Sequence, residues 1–481
     1  MASHLFKEYV PGSKLRLESA QSGAFQYESV RYVPQEGIPA GGFQAGSQVN
    51  FNWRNSGTRC WIPHASYLSV RIRAGAAGAN LPATNKVSFV PLAPAALFSD
   101  CTLSCNGKAI ENIAAGNLAP QAMYCFRTLE SEDQQRVGTM CGYSLDPSGV
   151  VIPALTIAGG TSTSQNIGFP QTQSVEARAA DVHATQINRY VWQPPLAVWS
   201  IKDPMPSADW SLRLGIDNNF YTRVTQSADG TDITTSLATL ATANDDHQCY
   251  LEITSIELHC AFVDLGDAGR ITNANLQYDL TMVQTVAPSN ALTANNIDDV
   301  TIKVPASSIR HTLAFMENGA RLGTANASNA CTMFYPTAAF GAVAKTGVSP
   351  APSGAVATTN ALLNVNGLQL QYAGHTGPQQ IRRLYYNLVE VTMRQAYNDW
   401  AMASGLKNPE SYRVWLNRGP MFSFSEVNVR NPDDRDTSLQ VHVERDAPGS
   451  SQTLLCFSEY EAALVLQVVN GEVVDSSVIE R

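Results

Sequence analysis

Strict alternation of apolar and polar side chains, repeated in many short segments, limits this chain to a fold made of half-buried strands. In Gln48-Val49-Asn50-Phe51-Asn52-Trp53-Arg54 every second residue is apolar. Tyr67 to Ala74 sets Leu68, Val70 and Ile72 on one face and Ser69, Arg71 and Arg73 on the other. Trp210, Leu212, Leu214 and Ile216 repeat the pattern. Successive strand side chains point to opposite faces, so this period predicts a sheet with one face in a core and one wetter. Leu251 to Val263 alternates too but changes phase near Thr254-Ser255, as a β-bulge would require.

The second half behaves alike. Predicted strands are Tyr278 to Thr285, Val300 to Val304, Leu368 to Tyr372, Tyr412 to Leu416, Leu439 to Val443, Thr453 to Phe457 and Ala463 to Val469. Asn470-Gly471 follows the last of these, and Glu472-Val473-Val474 follows it in turn. This is the signal of a two-residue type I′ hairpin. Strands this short and frequent point to antiparallel sandwiches and away from parallel α/β units. The 33 glycines and 25 prolines are spread along the chain, which suits many turns.

Two segments depart from the period. Asn117 to Leu129 has Pro120 in a plausible first turn and Ala122, Phe126 and Leu129 at helical spacing. Ile381 to Ser404 places Ile381, Leu384, Leu388 and Val391 at helical spacing, with Gly405 as a stop. Each follows a hairpin-like element, Leu103 to Gly107 in the first half and Leu368 to Gly374 in the second. The element order therefore predicts a duplicated plan. With 481 residues the chain exceeds what one core usually serves. The expected organisation is an irregular arm at 1–45, a first sandwich at 46–265 and a second at 271–481. Asp264 to Arg270 reads as a polar, Gly-rich linker. Long Ala, Gly, Ser and Thr-rich loops fall at about 218–246 and 317–360, with a stretch such as Gly341 to Thr359 suited to contacts between subunits.

Charge narrows the functional classes. Charged residues are only 15% of the chain against 44% hydrophobic, so surface is either buried or given to partner chains. The net charge of −9, from 32 Lys and Arg against 41 Asp and Glu, argues against broad coating of nucleic acid, and no specific nucleic-acid motif is present. Any such contact falls to the arm, where Lys7, Lys14 and Arg16 lie among few acids. Nine cysteines, many inside apolar runs such as those of Cys105, Cys260 and Cys456, suggest buried thiols in a reducing compartment. Met1 to Lys14 has no apolar core of signal-peptide length, and the longest apolar runs are too short to span a bilayer. The expected place of synthesis is the cytosol.

No constellation supports catalysis. A Gly-x-Ser-x-Gly elbow, a phosphate-binding loop and a dinucleotide fingerprint after a strand are all missing. Cys101 and Cys105, His247 and Cys249, and His259 and Cys260 lack a second ligand pair at zinc spacing and read as core or surface residues. Asn431 to Asp436 lacks the alternating ligands and closing Glu of a calcium loop and reads as a turn. Asn326-Ala327-Ser328 is a formal glycosylation sequon, expected to be unused. Glu111, Glu130, Glu132 and Asp133 flank the first helix and read as ordinary end charges. The reading contains no catalytic, cofactor or metal site.

Taken in order, these segments resemble the double jelly-roll major capsid proteins of DNA viruses, in particular the virophage, polinton-like and adenovirus-like lineages. The resemblance rests on Gln48 to Trp53, Tyr67 to Arg73, and Val87 to Glu111, the last including Ala96 to Asp100 and Leu103-Ser104-Cys105-Asn106-Gly107-Lys108. Tyr124 to Leu129, Leu363 to Tyr372, Ala396-Tyr397, Leu454 to Tyr460 and Leu464 to Val474 continue it. It spans about residues 45–478, and its specificity lies in order and spacing. It implies two eight-stranded jelly rolls standing side by side and a homotrimer forming a pseudo-hexagonal capsomer. Neighbouring capsomers, penton and minor capsid proteins would then be partners in an icosahedral shell around a DNA genome. The arm would face inward, toward an internal membrane or the genome, and assembly would occur in cytoplasm or nucleus. The main rival is a carbohydrate-binding or carbohydrate-active β-sandwich, which needs an acidic pair or an exposed aromatic platform such as Trp192, Trp199 and Trp210 could supply. A vertex protein or a spike fits less well, since one roll or fibrous repeats would be expected there.

Overall fold

The computed structural model describes residues 9–11, 26–39, 42–55, 58–76, 86–89, 92–141, 156–157, 160–161, 187–218, 224–227, 235–236, 249–264, 273–285, 297–304, 308–318, 365–372, 375–383, 391–412, 415, 421–423, 429–430, 437–445 and 452–480. Eight principal strands come first: β1 (Gln26–Tyr32), β2 (Gln48–Arg54), β3 (Arg59–Ala76), β4 (Phe98–Cys105), β5 (Lys108–Ile113), β6 (Ile187–Trp192), β7 (Asp209–Ile216) and β8 (Cys249–Asp264). Eight more follow: β9 (Asn273–Thr285), β10 (Ile297–Val304), β11 (Ser308–Asn318), β12 (Val365–Tyr372), β13 (His375–Arg383), β14 (Met421–Ser423), β15 (Thr437–Arg445) and β16 (Gln452–Val469), and the hairpin partner β17 (Glu472–Glu480) closes the series. The longer helices among the described residues are α1 (Leu118–Arg127), α2 (Ser131–Cys141) and α3 (Val391–Ala403).

The pairing order repeats between the halves. One first-half sheet runs β6-β3-β8-β1 and the other β2-β7-β4-β5. In the second half the corresponding paths are β14-β11-β16-β9 and β10-β15-β12-β13, each strand eight places later. Two four-stranded sheets threaded in this order make the eight-stranded jelly roll, in which strands distant in sequence lie side by side. The helices repeat as well, α1 following the fifth strand of its roll and α3 the fifth strand of its own.

The alternation read from the sequence becomes the core. Val49, Phe51 and Trp53 of β2, Leu68, Val70 and Ile72 of β3, and Trp210, Leu212, Leu214 and Ile216 of β7 are all buried. On β8 the register shifts between Ile253 and Ser255, so Ile253 and Ile256, three residues apart, both point inward. The first roll is centred on Trp61, whose ring lies 5.1 Å from Trp53, 5.4 Å from Trp199 and 4.8 Å from Trp210. Its indole Nε1 donates to Ser66 Oγ at 2.9 Å, so the one polar atom of the ring is satisfied in the core. In the second roll Val300, Ile302, Leu439, Val441 and Val443 face Leu276, Leu280, Leu464 and Leu466. The Asn106-Gly107 and Asn470-Gly471 turns have φ of 49 and 78°, and 55 and 84°. That is the left-handed pair a type I′ hairpin needs, and Asn and Gly adopt it at least cost.

Several sequence expectations change. Within the expected arm, residues 26–32 form β1 and pair with β8, and Tyr9–Pro11 pairs in parallel with Asn275–Gln277 of β9. Thr453 to Phe457 and Ala463 to Val469 belong to one continuous strand, β16. Ile381 to Arg383, expected to open a helix, end strand β13, and the helix begins at Val391. Tyr412 to Leu416 is not a strand at its described positions: Trp415 N–H donates to Ser411 O in a helical turn. Tyr412 and Trp415, three apart, thereby pack together against Tyr397. The Asp264–Arg270 linker beyond Asp264, His247, Asn326 to Ser328, Gly341 to Thr359 and Asn431 to Asp436 lie outside the described residues.

Candidate functional site

Among the described residues, a set of specific polar contacts lies where the two rolls meet. From the first roll come α1, the segment after it, and the β4–β5 turn; from the second come β9, β16, β17 and the segment after α3. Tyr124 of α1 stacks on Phe457, centroids 4.9 Å apart, while its hydroxyl donates to Glu459 Oε2 at 2.9 Å. Arg127 donates from Nη2 to Glu410 Oε1 at 2.5 Å, with both side chains almost fully buried. Asn117 Nδ2 donates to Thr285 O, and Thr285 Oγ1 donates to Gln121 Oε1 at 3.1 Å. Spacings of four and three bring Asn117, Gln121 and Tyr124 onto one stripe of α1.

Glu130 spans the seam with a carboxylate that accepts the N–H groups of Lys407 and Asn408 at 2.9 and 2.7 Å, and Ser131 N–H donates to Asn408 O. At the other end Asn106 Nδ2 donates to Val473 O, Val473 N–H donates to Ser207 O, and Lys108 pairs with Asp475 at 3.3 Å. There a polar cavity of about 380 Å³ is lined by Arg54, Asp209 and Glu472 among others, with Arg54 bridging the two carboxylates at 3.4 and 3.2 Å. Tyr278 O–H donates to Pro204 O between these ends. Several buried polar groups are bonded across the seam.

Glu111 and Glu130 are not the ordinary end charges the sequence suggests. Glu111 belongs to β5 and is buried, where it accepts the N–H groups of Ala197 and Val198 at 2.8 and 3.3 Å. Burial pushes its carboxyl up to about 7 against those two hydrogen bonds. It thus fixes the turn Ala197–Ser200 on which β9 of the second roll packs. Glu132 and Asp133 do sit in the first turn of α2, where Asp133 pairs with Arg136. No sequence signal marks Glu111 or Glu130 as special, since their partners lie far along the chain.

The other candidates fall elsewhere. Cys101 and Cys105 are buried on the core face of β4, and burial raises both thiols, Cys105 to about 12. Such thiols are poor nucleophiles and poor metal ligands at neutral pH. Cys260 also points inward with a raised pKa. His259 points to the opposite face, stacked on Tyr67 at 4.8 Å and 3.6 Å from Glu257, and burial lowers its pKa. Glu257 is ringed by Arg31 at 3.6 Å and Arg71 at 3.7 Å. Trp192, Trp199 and Trp210 are all buried, so they form no exposed platform. Among the described residues no group of three or more His, Cys, Asp or Glu is placed to hold a metal ion. Among them, too, no helix is long and apolar enough to cross a membrane.

No protein-family model matches the sequence, and no curated protein matches it. Solved structures do match. A chain in the cryo-EM structure of the Sputnik virophage is similar over 95% of this chain and 88% of its own length, at 12% identity and a TM-score of 0.52. A chain of the PBCV-1 virus capsid is similar over 95% of this chain and 96% of its own, at 9% identity and a TM-score of 0.50. The chain is a double jelly roll. Identities this low show a shared architecture alone, matched over 95% of this chain in both cases.

Proposed function

We propose that this double jelly roll is a major capsid protein that works by self-assembly, has no enzymatic role, and trimerises into pseudo-hexagonal capsomers of an icosahedral shell around a DNA genome. The observation that carries the reading is the seam. It joins unlike surfaces of two rolls with the same strand order, and a repeated head-to-tail contact generates a ring when its rotation closes. A chain that supplies two of six similar walls needs two more copies to close. The full-length likeness to the PBCV-1 capsid chain supports the same reading.

The proposed division keeps the second roll at 271–481 and the first roll's end at 265, but β1 pairs within the first roll's sheet, so the proposed arm ends before Gln26 and not at 45. Neighbouring capsomers, penton and minor capsid proteins are the expected partners, and the arm, facing inward, is the expected contact with an internal membrane or the genome. The chain would be made in the host cytosol, assemble in cytoplasm or nucleus, and reside in the virion. The burial of Trp192, Trp199 and Trp210 weighs against the carbohydrate-binding alternative. Negative-stain imaging of the purified chain tests the proposal. Hexagonal outlines or closed shells are expected. Featureless single particles together with retention on a glycan array would replace it with the carbohydrate reading.

A further inference from the structure

The internal repeat assigns each side of the seam a counterpart in the other roll. The counterpart of α1 is α3, since each follows the fifth strand of its roll. The counterpart of the end of β9, where α1 docks at Thr285, is the end of β1 at Tyr32, since these strands hold the same place in their sheets. Within one chain α1 is buried on every side but that of Cys125. By contrast α3 keeps an exposed stripe of Gln395, Asn398 and Met402, at helical spacings of three and four. Met402 is the most exposed large hydrophobic side chain among the described residues, at 73%. The turn after β1 carries two more, Val33 at 51% and Ile38 at 46%. Three of the seven exposed large hydrophobics thus stand on the two surfaces the repeat leaves without a partner.

We propose that the Gln395, Asn398 and Met402 stripe of α3 docks against Tyr32, Val33 and Ile38 at the end of β1 in a second copy of this chain. The occupant is a second copy because the intrachain seam already joins counterparts of these two surfaces. One chain cannot bring its own α3 to its own β1 end while its rolls are held by that seam. The inference rests on the capsomer reading and names the side chains that close the ring.

The test uses the full chain and two single substitutions at exposed positions, Met402→Glu and Val33→Glu, read by light scattering behind size-exclusion chromatography. Each variant alone is expected to run as a monomer while keeping the parent's far-ultraviolet circular dichroism spectrum, since loss of assembly by itself lowers the thermal midpoint. Mixed together they should give dimers, because the intact α3 of one meets the intact β1 end of the other while the remaining ends are blocked. Ile297→Glu, at an exposed position on β10, is expected to leave the parent's assembly unchanged. If the parent assembles and both variants assemble equally well, this contact is wrong and the capsomer reading stands. Loss of assembly in all three variants also overturns the contact, since disruption would then not be specific to it. A parent that never leaves the monomeric state overturns the underlying reading with it.

Discussion

Arg127, the last residue of α1, is bonded to Glu410, in the segment that follows α3, through a buried ion pair that joins the two rolls. The two residues are 283 apart in sequence, yet each stands just beyond or at the end of the corresponding helix of its roll. Removing one partner leaves the other charge buried without it. Arg127→Met is therefore expected to cost about 3–5 kcal/mol. Arg127→Met combined with Glu410→Leu should recover most of that loss, because an apolar pair of similar volume avoids desolvating two charges. Urea unfolding of the parent, both single variants and the double variant measures the coupling.

Tyr124 contributes a ring and a hydroxyl to the same seam. Tyr124→Phe keeps the stack on Phe457 and deletes only the hydrogen bond to the Glu459 carboxylate, so a loss of about 1.5–3 kcal/mol is expected. Tyr124→Ala should cost more, about 3–5 kcal/mol, because a buried aromatic ring is lost and a cavity remains. Equal losses for the two variants in thermal unfolding would show that the ring adds nothing.

Glu111 links the seam to pH. Its folded carboxyl, pushed up to about 7, holds a proton that the unfolded chain, at the usual 4.5, releases. The folded state binds the extra proton between these values, so stability from this group is fully present below about 4.5 and is lost as pH rises through about 7. Glu111→Gln removes the titration. Denaturant midpoints across that window should fall with rising pH more steeply in the parent than in the variant, and parallel curves would contradict the assignment.

The Trp61 cluster sets the stability of the first roll. Trp61→Ala removes a fully buried ring in contact with three other indoles and is expected to cost about 3–5 kcal/mol or to abolish soluble expression. A milder variant keeps the question answerable. Ser66→Ala leaves Trp61 Nε1 without its acceptor, and should cost about 1–3 kcal/mol in the same assay.

Alternation made the faces of β2, β3 and β7 legible from sequence, because one side of each strand meets the core and the other does not. Even the bulge of β8 was legible, since it breaks the phase within a single segment. Strand β1 was not. Gln26 to Tyr32 is an edge strand with neighbours on one side only, and its sequence mixes polar and aromatic residues without clear period. Tyr412 to Leu416 was misread because spaced aromatics suit a strand as well as a helical turn, and packing against Tyr397 decides between them. The polar face of the first roll also carries more burial than alternation suggests, as Ser69 and Glu257 show. The seam was invisible for a simpler reason. Pairs such as Arg127 with Glu410 and Asn106 with Val473 are made by tertiary fold alone and leave no local pattern.

The solution mass of the full chain tests the central claim most directly. Light scattering on the chain expressed in a reducing cytosol should give three times the chain mass of 51.9 kDa, or larger closed assemblies built from that unit. A monomer at every concentration reached would contradict the account.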